Sequence, residues 1–160
     1  MKTVYVGVGD LGASCLHGGV LRTCALSSCV AVIMLAPRKR AAGLLHVALP
    51  KSEIDHKLAL EKPGYFADTG VPALLSRMKR CGCRKGDLVV KLAGGAVLIE
   101  PDLRSDIGRR NLEAVKEELR KHGIDASAED VGGDLVRTVS VFVDTGTVII
   151  SSHVKGNWEL

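Results

Sequence analysis

The chain has 160 residues, with 22 basic and 18 acidic side chains and a formal net charge of +4. This length allows a buried core without disulfide or metal support, so we expect a single domain over residues 1–160. Two Phe, two Tyr and one Trp are too few for the stacking surface of single-stranded nucleic-acid binders, and the mild positive charge indicates solvated faces first, an acidic protein partner second and nucleic acid last.

The N-terminal part of the chain predicts three strands. Residues 3–8, TVYVGV, form the first strand, and a glycine-rich loop follows through Gly19. The short, β-branched run 29–35 predicts a buried strand, and residues 43–50 predict the strand that returns beside it. Because Pro37 lies between these two runs, they are expected to form a hairpin.

Two amphipathic helices are predicted after a polar loop at 51–65. The first covers residues 68–82, with Asp68 or Thr69 as its expected N-cap, and the second covers residues 108–123. Their apolar positions recur at helical spacing and are expected to face the core. These positions are Val71, Leu74, Leu75, Met78, Leu112, Val115 and Leu119.

The remaining apolar segments predict strands. Residues 87–99 form a strand region interrupted at Gly94-Gly95, where we expect a tight turn, with shaping of a site as the alternative. Residues 138–143 alternate valines on one face, and residues 147–151 return after an Asp-Thr-Gly turn. The resulting order predicts an α/β domain with mixed or antiparallel pairing and two main helices.

Two motifs in the sequence are weak evidence for a cofactor or metal site. Residues 7–12, GVGDLG, match a dinucleotide-binding loop, but no helical pattern follows and no acidic residue occurs between Asp10 and Glu53. The segments Cys-Leu-His at 15–17 and Cys-Gly-Cys at 81–83 lack the paired spacing of structural zinc sites. We therefore predict neither a metal nor an organic cofactor.

The cysteine usage and the apolar runs predict a compartment. Five cysteines at irregular spacing indicate reduced thiols rather than a disulfide framework. Asp10 interrupts the N-terminal apolar stretch, which is unlike a signal peptide, and the run 29–36 is far shorter than a membrane span. The expectation is a soluble, cytoplasmic protein without membrane insertion.

Cys29 and His46 form the candidate catalytic pair. Either residue alone is more often a structural core residue, but the predicted hairpin brings the start of one strand beside the middle of the next. We expect the two side chains to face each other, with backbone N–H groups at Ser27, Ser28 and Cys29 free to hold an oxyanion. This arrangement is typical of thiol-dependent acyl transfer.

The chain also resembles a known family around these residues. The segment 23–30, TCALSSCV, is similar to T-L-G-L-G-S-C-V of the CheD family of chemoreceptor glutamine deamidases, and LHVALP at 45–50 is similar to its A-H-x-x-L-P segment. Further similar segments are YFADTGVPALL at 65–75, KLAGGA at 91–96, IGRRNLEAVKEEL at 107–119 and AEDVGGD at 128–134.

The resemblance implies a fold, a reaction and partners. The fold would be a layered α/β sandwich like the catalytic domain of cytotoxic necrotizing factor toxins. Cys29 would be the nucleophile, His46 the general base and acid, and Thr23 the residue that orients His46. The reaction would convert chemoreceptor glutamines to glutamates through a thioester, without a cofactor, and the CheC phosphatase would be a partner.

The sequence departs from this family next to the nucleophile. Ala25 and Ser27 occupy positions where the family has glycine, and Cys24 adds a thiol that could form a disulfide with Cys29 on oxidation. A side chain at a position that needs a positive φ costs about 1 kcal/mol or more. Two alternatives therefore stay open, namely a weak enzyme that acts mainly as a binding module, and a thiol amidase for small substrates.

Overall fold

A computed structural model describes residues 1–97 and 106–160 of the chain. Ten strands and three α-helices are found in these residues. The strands are β1 (Lys2–Tyr5), β2 (Leu11–Ser14), β3 (Gly19–Leu26), β4 (Val30–Ala36), β5 (Ala41–Val47), β6 (Val89–Gly94), β7 (Ala128–Val131), β8 (Arg137–Phe142), β9 (Thr147–Ser152) and β10 (Gly156–Glu159). The helices are α1 (His56–Glu61), α2 (Ala67–Arg80) and α3 (Ile107–Lys121).

The strands form two five-stranded sheets. The first sheet has the order β1-β3-β8-β9-β10 and the second has the order β2-β5-β4-β6-β7. Neighbouring strands are antiparallel except for β1 with β3 and β6 with β7, which are parallel. Both sheets are therefore mixed, which confirms the predicted α/β class.

The sheets and helices pack in three layers with two apolar cores. One core lies between the two sheets, and the other lies between the second sheet and helices α2 and α3. Every residue of β4 and β5 is buried because these central strands are covered on both faces. Their near-continuous apolar sequence follows from this position, and the predicted hairpin is confirmed.

The two main helices lie where their apolar spacing predicts. Val71, Leu74 and Met78 on α2 are buried in the core beneath the second sheet, and Val115 and Leu119 on α3 are buried in the same core. Leu75 and Leu112 pack against it in partly buried positions.

Several local predictions were wrong. The predicted glycine-rich loop contains β2, which pairs with β5 at the edge of the second sheet and is only half-buried, so it has no strong apolar pattern. Strand β3 was also missed, although it lies between β1 and β8, because the polar residues Arg22 and Thr23 interrupt its apolar run. The predicted loop at 51–65 contains α1, whose first turn is capped by the Asp55 carboxylate accepting the Leu58 N–H at 3.0 Å.

The predicted N-caps of α2 are also wrong. The helix begins at Ala67 after Phe66, without a side-chain cap. The Asp68 carboxylate instead accepts hydrogen bonds from the N–H and hydroxyl of Ser52, and the Thr69 hydroxyl donates to the Pro63 carbonyl. Both side chains therefore tie the preceding loop to the helix.

The predicted strand region 87–99 is shorter in the structure. Strand β6 ends at Gly94, and residues 98 and 99 lie outside the described part of the chain. A search of the described residues finds no helix with the length and apolar character needed to span a membrane.

Candidate active site

The three predicted catalytic residues come from different parts of the fold and meet at one edge of the inter-sheet core. Thr23 lies on β3 of the first sheet, His46 lies on β5 of the second, and Cys29 immediately precedes β4. Thr23 and His46 are each 1% exposed, while Cys29 is partly buried and packs against the same core.

The register of the hairpin corrects the expected pairing. His46 is directly opposite Ala31, and Val30 is opposite Val47. Cys29 is therefore the diagonal neighbour of His46 rather than its direct partner. Diagonal neighbours on one face of an antiparallel pair are about 7–8 Å apart at Cα and remain within reach of long side chains.

A hydrogen-bond chain fixes the tautomer of His46. The Thr23 hydroxyl donates to the Val6 carbonyl at 2.6 Å and lies 2.7 Å from His46 Nδ1. Because a carbonyl can only accept and a hydroxyl has a single proton, Thr23 must accept from His46 Nδ1–H. The Nε2 atom of neutral His46 consequently carries a free lone pair, which is the form a general base requires.

The surroundings of His46 keep the imidazole neutral. Burial lowers the pKa of His46 to about 4, and the negative charge of Asp10 opposes this shift only in part. Asp10 is nearby because its carbonyl accepts the His46 backbone N–H at 3.1 Å. The Nε2 atom is buried and has no hydrogen-bond partner among the described residues.

The Cys29 thiol is also held in its neutral form. Burial raises its pKa above the ordinary value for a thiol. Since His46 is neutral as well, the resting site contains a thiol and an imidazole rather than a preformed ion pair.

The strand before Cys29 contains a bulge at Ala25. Thr23 pairs with Val139 and Leu26 pairs with Arg137, so β3 has one more residue than β8 over this interval. Ala25 has a φ of +57°, whereas Ser27 is outside the left-handed region. Of the two positions where the resembled family has glycine, only the Ala25 position therefore strains an L-residue.

The carbonyl groups around Cys29 are anchored by two different elements. Those of Ser27 and Cys29 accept the N–H groups of Ala96 and Gly95, both at 2.8 Å. The Ser28 carbonyl accepts the Asn111 side-chain Nδ2 at 3.0 Å. In a trans peptide the carbonyl and the following N–H point in opposite directions, so the N–H groups of Ser28 and Cys29 point away from these anchors. Neither donates in a loop hydrogen bond within residues 1–97 and 106–160.

Two residues that contact this loop were not predicted as site residues, although shaping of a site was the alternative expectation at Gly94-Gly95. Gly94 passes so close to the loop that a Cβ atom there would lie 2.3 Å from the Cys29 carbonyl oxygen, which requires glycine. Gly94 and the adjacent Gly95 thus shape the candidate site. Their position at the end of a predicted buried strand was the feature of the sequence that could have indicated this role. Asn111 gave no comparable signal because a polar residue on a helix is usually solvated.

Cys24 lies apart from the candidate site. Thr23 points into the core, so the alternation of β3 directs the neighbouring Cys24 outwards, where it is exposed beside a groove of about 500 Å³. Cys29 packs against the inter-sheet core, which is on the other side of the first sheet. This geometry disfavours the disulfide between Cys24 and Cys29 that the sequence allowed.

Comparisons with known proteins agree with the resemblance. A family profile described as CheD chemotactic sensory transduction matches residues 48–152. A protein of Syntrophotalea carbinolica named "Probable chemoreceptor glutamine deamidase CheD" is 45% identical over the full length of both chains. The chain belongs to the CheD family.

Further relatives extend the similarity to bacteria and archaea. A protein of Anaeromyxobacter dehalogenans named "Probable chemoreceptor glutamine deamidase CheD 2" is 44% identical over 95% of this chain and 96% of its own. A relative from Methanococcus maripaludis with the CheD name is 41% identical over 91% of this chain and 92% of its own. Because the family profile begins after His46, the full-length relatives are the comparisons that include the candidate site.

Proposed function

We propose that this protein is a protein-glutamine glutaminase that converts selected chemoreceptor glutamines to glutamates and releases ammonia. The names of its CheD relatives support the substrate and the reaction. The observation that carries the proposal for this chain is the fixed tautomer of His46, whose free Nε2 lies buried at the edge that also holds Cys29.

In the first proposed step, Cys29 attacks the side-chain carboxamide carbon of a glutamine. His46 Nε2 accepts the thiol proton as the sulfur–carbon bond forms, because both groups start neutral. The hydrogen bond from His46 Nδ1–H to Thr23 keeps the ring in the orientation and tautomer needed for this transfer.

The proposed tetrahedral intermediate carries an oxyanion. The N–H groups of Ser28 and Cys29 are the proposed donors. The anchored Ser27 carbonyl directs the Ser28 N–H away from Ala96, and the anchored Ser28 carbonyl directs the Cys29 N–H away from α3. Ser27 is the less favoured donor, since its own N–H is not fixed by one of these anchored carbonyls. Its hydroxyl oxygen is buried without a partner in the described residues.

The later steps regenerate the enzyme. His46 returns its proton to the amide nitrogen, the carbon–nitrogen bond breaks, and ammonia leaves a thioester on Cys29. His46 then takes a proton from a water molecule, which attacks the thioester carbon. The sulfur leaves with the proton from His46, and glutamate and the Cys29 thiol are formed.

The remaining features of the proposal follow from the family. The enzyme would act in the cytoplasm as one domain on the cytoplasmic part of chemoreceptors, with CheC as a regulatory partner. The two-sheet architecture supports the expected likeness to the catalytic domain of cytotoxic necrotizing factors, and superposition on such a domain would test it.

The direct test uses a chemoreceptor cytoplasmic fragment incubated with the protein and with Cys29→Ala. Peptide mass spectrometry should find glutamine-to-glutamate conversion at defined sites with the wild-type protein alone. Conversion by Cys29→Ala would overturn the proposed nucleophile. Free glutamine and short peptides serve as competing substrates, and preferred turnover of these would indicate a small-molecule amidase.

The alternative is a binding module with little turnover, and the strained Ala25 next to the nucleophile loop favours it. A receptor fragment or CheC that binds the protein and Cys29→Ala equally well, without any conversion, would establish that alternative.

A further inference from the structure

We infer that Asn111 is a positioning residue that aims the oxyanion donors of the site. Asn111 lies on α3, on the opposite side of the second sheet from the inter-sheet core, and it is fully buried. It is 83 residues from Ser28 in sequence and contacts the nucleophile loop through its amide. This inference rests on the proposed function and names a component of the same site.

The contacts of Asn111 join the two strands that carry the reacting groups. Its Nδ2 donates one hydrogen bond to the Ser28 carbonyl and another to the Ala48 carbonyl, both at 3.0 Å. Ser28 immediately precedes Cys29, and Ala48 is two residues after His46. One amide group thus fixes the backbone before the nucleophile relative to the end of the strand that carries the base.

The orientation of the amide follows from its partners. Both neighbours are carbonyl oxygens, which only accept, so the NH₂ group must face them. The Asn111 Oδ1 atom is then left buried without a partner in the described part of the chain. An apolar side chain would fill this position without an unpaired polar atom, so the asparagine is explained by the two carbonyls it holds.

Holding the Ser28 carbonyl determines where the Cys29 N–H points. The two groups belong to one planar peptide and are directed oppositely. If the Ser28 carbonyl is released, that peptide can rotate, and the donor would no longer face the developing oxyanion. The Cys29 side chain packs against the inter-sheet core and Thr23 holds the His46 ring, so both groups should keep their reactivity.

The test separates oxyanion stabilisation from thiol reactivity. Asn111→Asp keeps the shape of the side chain but replaces the NH₂ donor with an acceptor facing two carbonyls. We expect kcat for deamidation to fall about tenfold to a hundredfold, with KM within about threefold of wild type. Alkylation of Cys29 by iodoacetamide, followed on the Cys29 peptide, is compared in Asn111→Ala, which adds no charge near the thiol. It should stay within about twofold of wild type because no oxyanion forms in that reaction.

Matched variants make each outcome decisive. Asn157→Asp is the same chemical change at an exposed position and should retain wild-type kcat. Asn111→Ala removes the donor without adding charge and serves if the aspartate variant fails to fold, as judged by circular dichroism. A folded Asn111 variant with unchanged kcat overturns the inference, as does a parallel loss of alkylation or the failure of both variants to fold.

The failure of the proposed function would look different. In that case the wild-type protein itself would not convert receptor glutamines, and both ideas would be overturned. Normal conversion by wild type with wild-type kcat in Asn111→Asp would overturn only the role of Asn111.

Discussion

Two groups of thiols lie at opposite ends of the β4–β5 hairpin. Cys29 is at the end that carries His46. At the other end, Cys15 follows β2 beyond the Ser14–Ala42 pair, and Cys81 caps the C-terminus of α2. Burial is the largest cause of a raised thiol pKa at both ends, and a hydrogen bond with Cys15 contributes to raising the pKa of Cys81 to about 11.

A raised thiol pKa occurs at both ends of the hairpin and therefore does not by itself distinguish the proposed nucleophile. At the Cys29 end, the thiol is accompanied by a histidine of fixed tautomer and by backbone N–H groups that donate no loop hydrogen bond within the described residues. At the Cys81 end the neighbours are other thiols and a basic loop at 38–40. The difference in chemistry should therefore come from the surroundings and not from the sulfur.

The largest expected effect comes from removing the base. His46→Gln should lower kcat for receptor deamidation about a hundredfold to ten-thousandfold, because it removes the imidazole that is proposed to take the thiol proton. Cys81→Ser alters the thiol group at the other end, serves as the control and should leave kcat unchanged. Comparable losses in the two variants would show that both thiol groups contribute to turnover.

The next effect concerns the residue that orients the base. Thr23→Val removes the hydroxyl and leaves the Val6 carbonyl and His46 Nδ1–H without their partner. We expect the free energy of unfolding to fall by about 1–3 kcal/mol and kcat to fall about tenfold or more. Thr23→Ser retains the hydroxyl and should therefore retain most of the wild-type stability and most of the wild-type kcat. Full activity in the valine variant would contradict the orienting role.

The pH dependence of stability provides a third contrast. The pKa of His46 is about 4 in the folded protein and 6.5 in the unfolded chain. As the pH falls, the unfolded chain therefore binds the proton before the folded protein does. Stability should be highest above pH 6.5, decrease by up to about 3 kcal/mol as pH falls to about 4, and then level off. Urea unfolding of wild type and His46→Gln between pH 7 and 4 should isolate this component, which the variant lacks. If the free energies of unfolding of the two proteins changed equally with pH, the lowered pKa of His46 would be contradicted.

The smallest expected effect separates the two substituted glycine positions. Ala25→Gly relieves a left-handed alanine and should stabilise the fold by up to about 1 kcal/mol, after the entropy of glycine is subtracted. Ser27→Gly has no such strain to relieve and should destabilise by about 0.5–1 kcal/mol. Thermal unfolding of both variants measures the difference, and an equal change in the two would show that the bulge does not strain Ala25.

The fold was predictable where burial imposes a repeating pattern. Strands 30–36 and 41–47 are covered on both faces, which requires a continuous apolar run, and α2 and α3 each bury one stripe. Strand β2 lies at an edge and is half-exposed, so its sequence resembles a loop. The N-cap of α2 could not be predicted because Asp68 is used by Ser52.

The site was predictable only in part. Cys29 and His46 were placed together by the hairpin, although the exact register put them diagonally. The pairing of Thr23 with His46 joins two different sheets, and no periodicity in the sequence encodes such a contact. Its expectation came from the family resemblance. Asn111 remained hidden because its role depends on two backbone carbonyls brought to it by tertiary packing.

The position of β3 in the first sheet has a consequence for the newly made chain. Thr23 lies on a strand between β1 and β8, and β8 begins only at Arg137. Pairings between residues so distant in sequence are slow to form. The strand that carries Thr23 therefore gains its second neighbour only after β8 has been synthesised, long after Cys29 and His46 have left the ribosome.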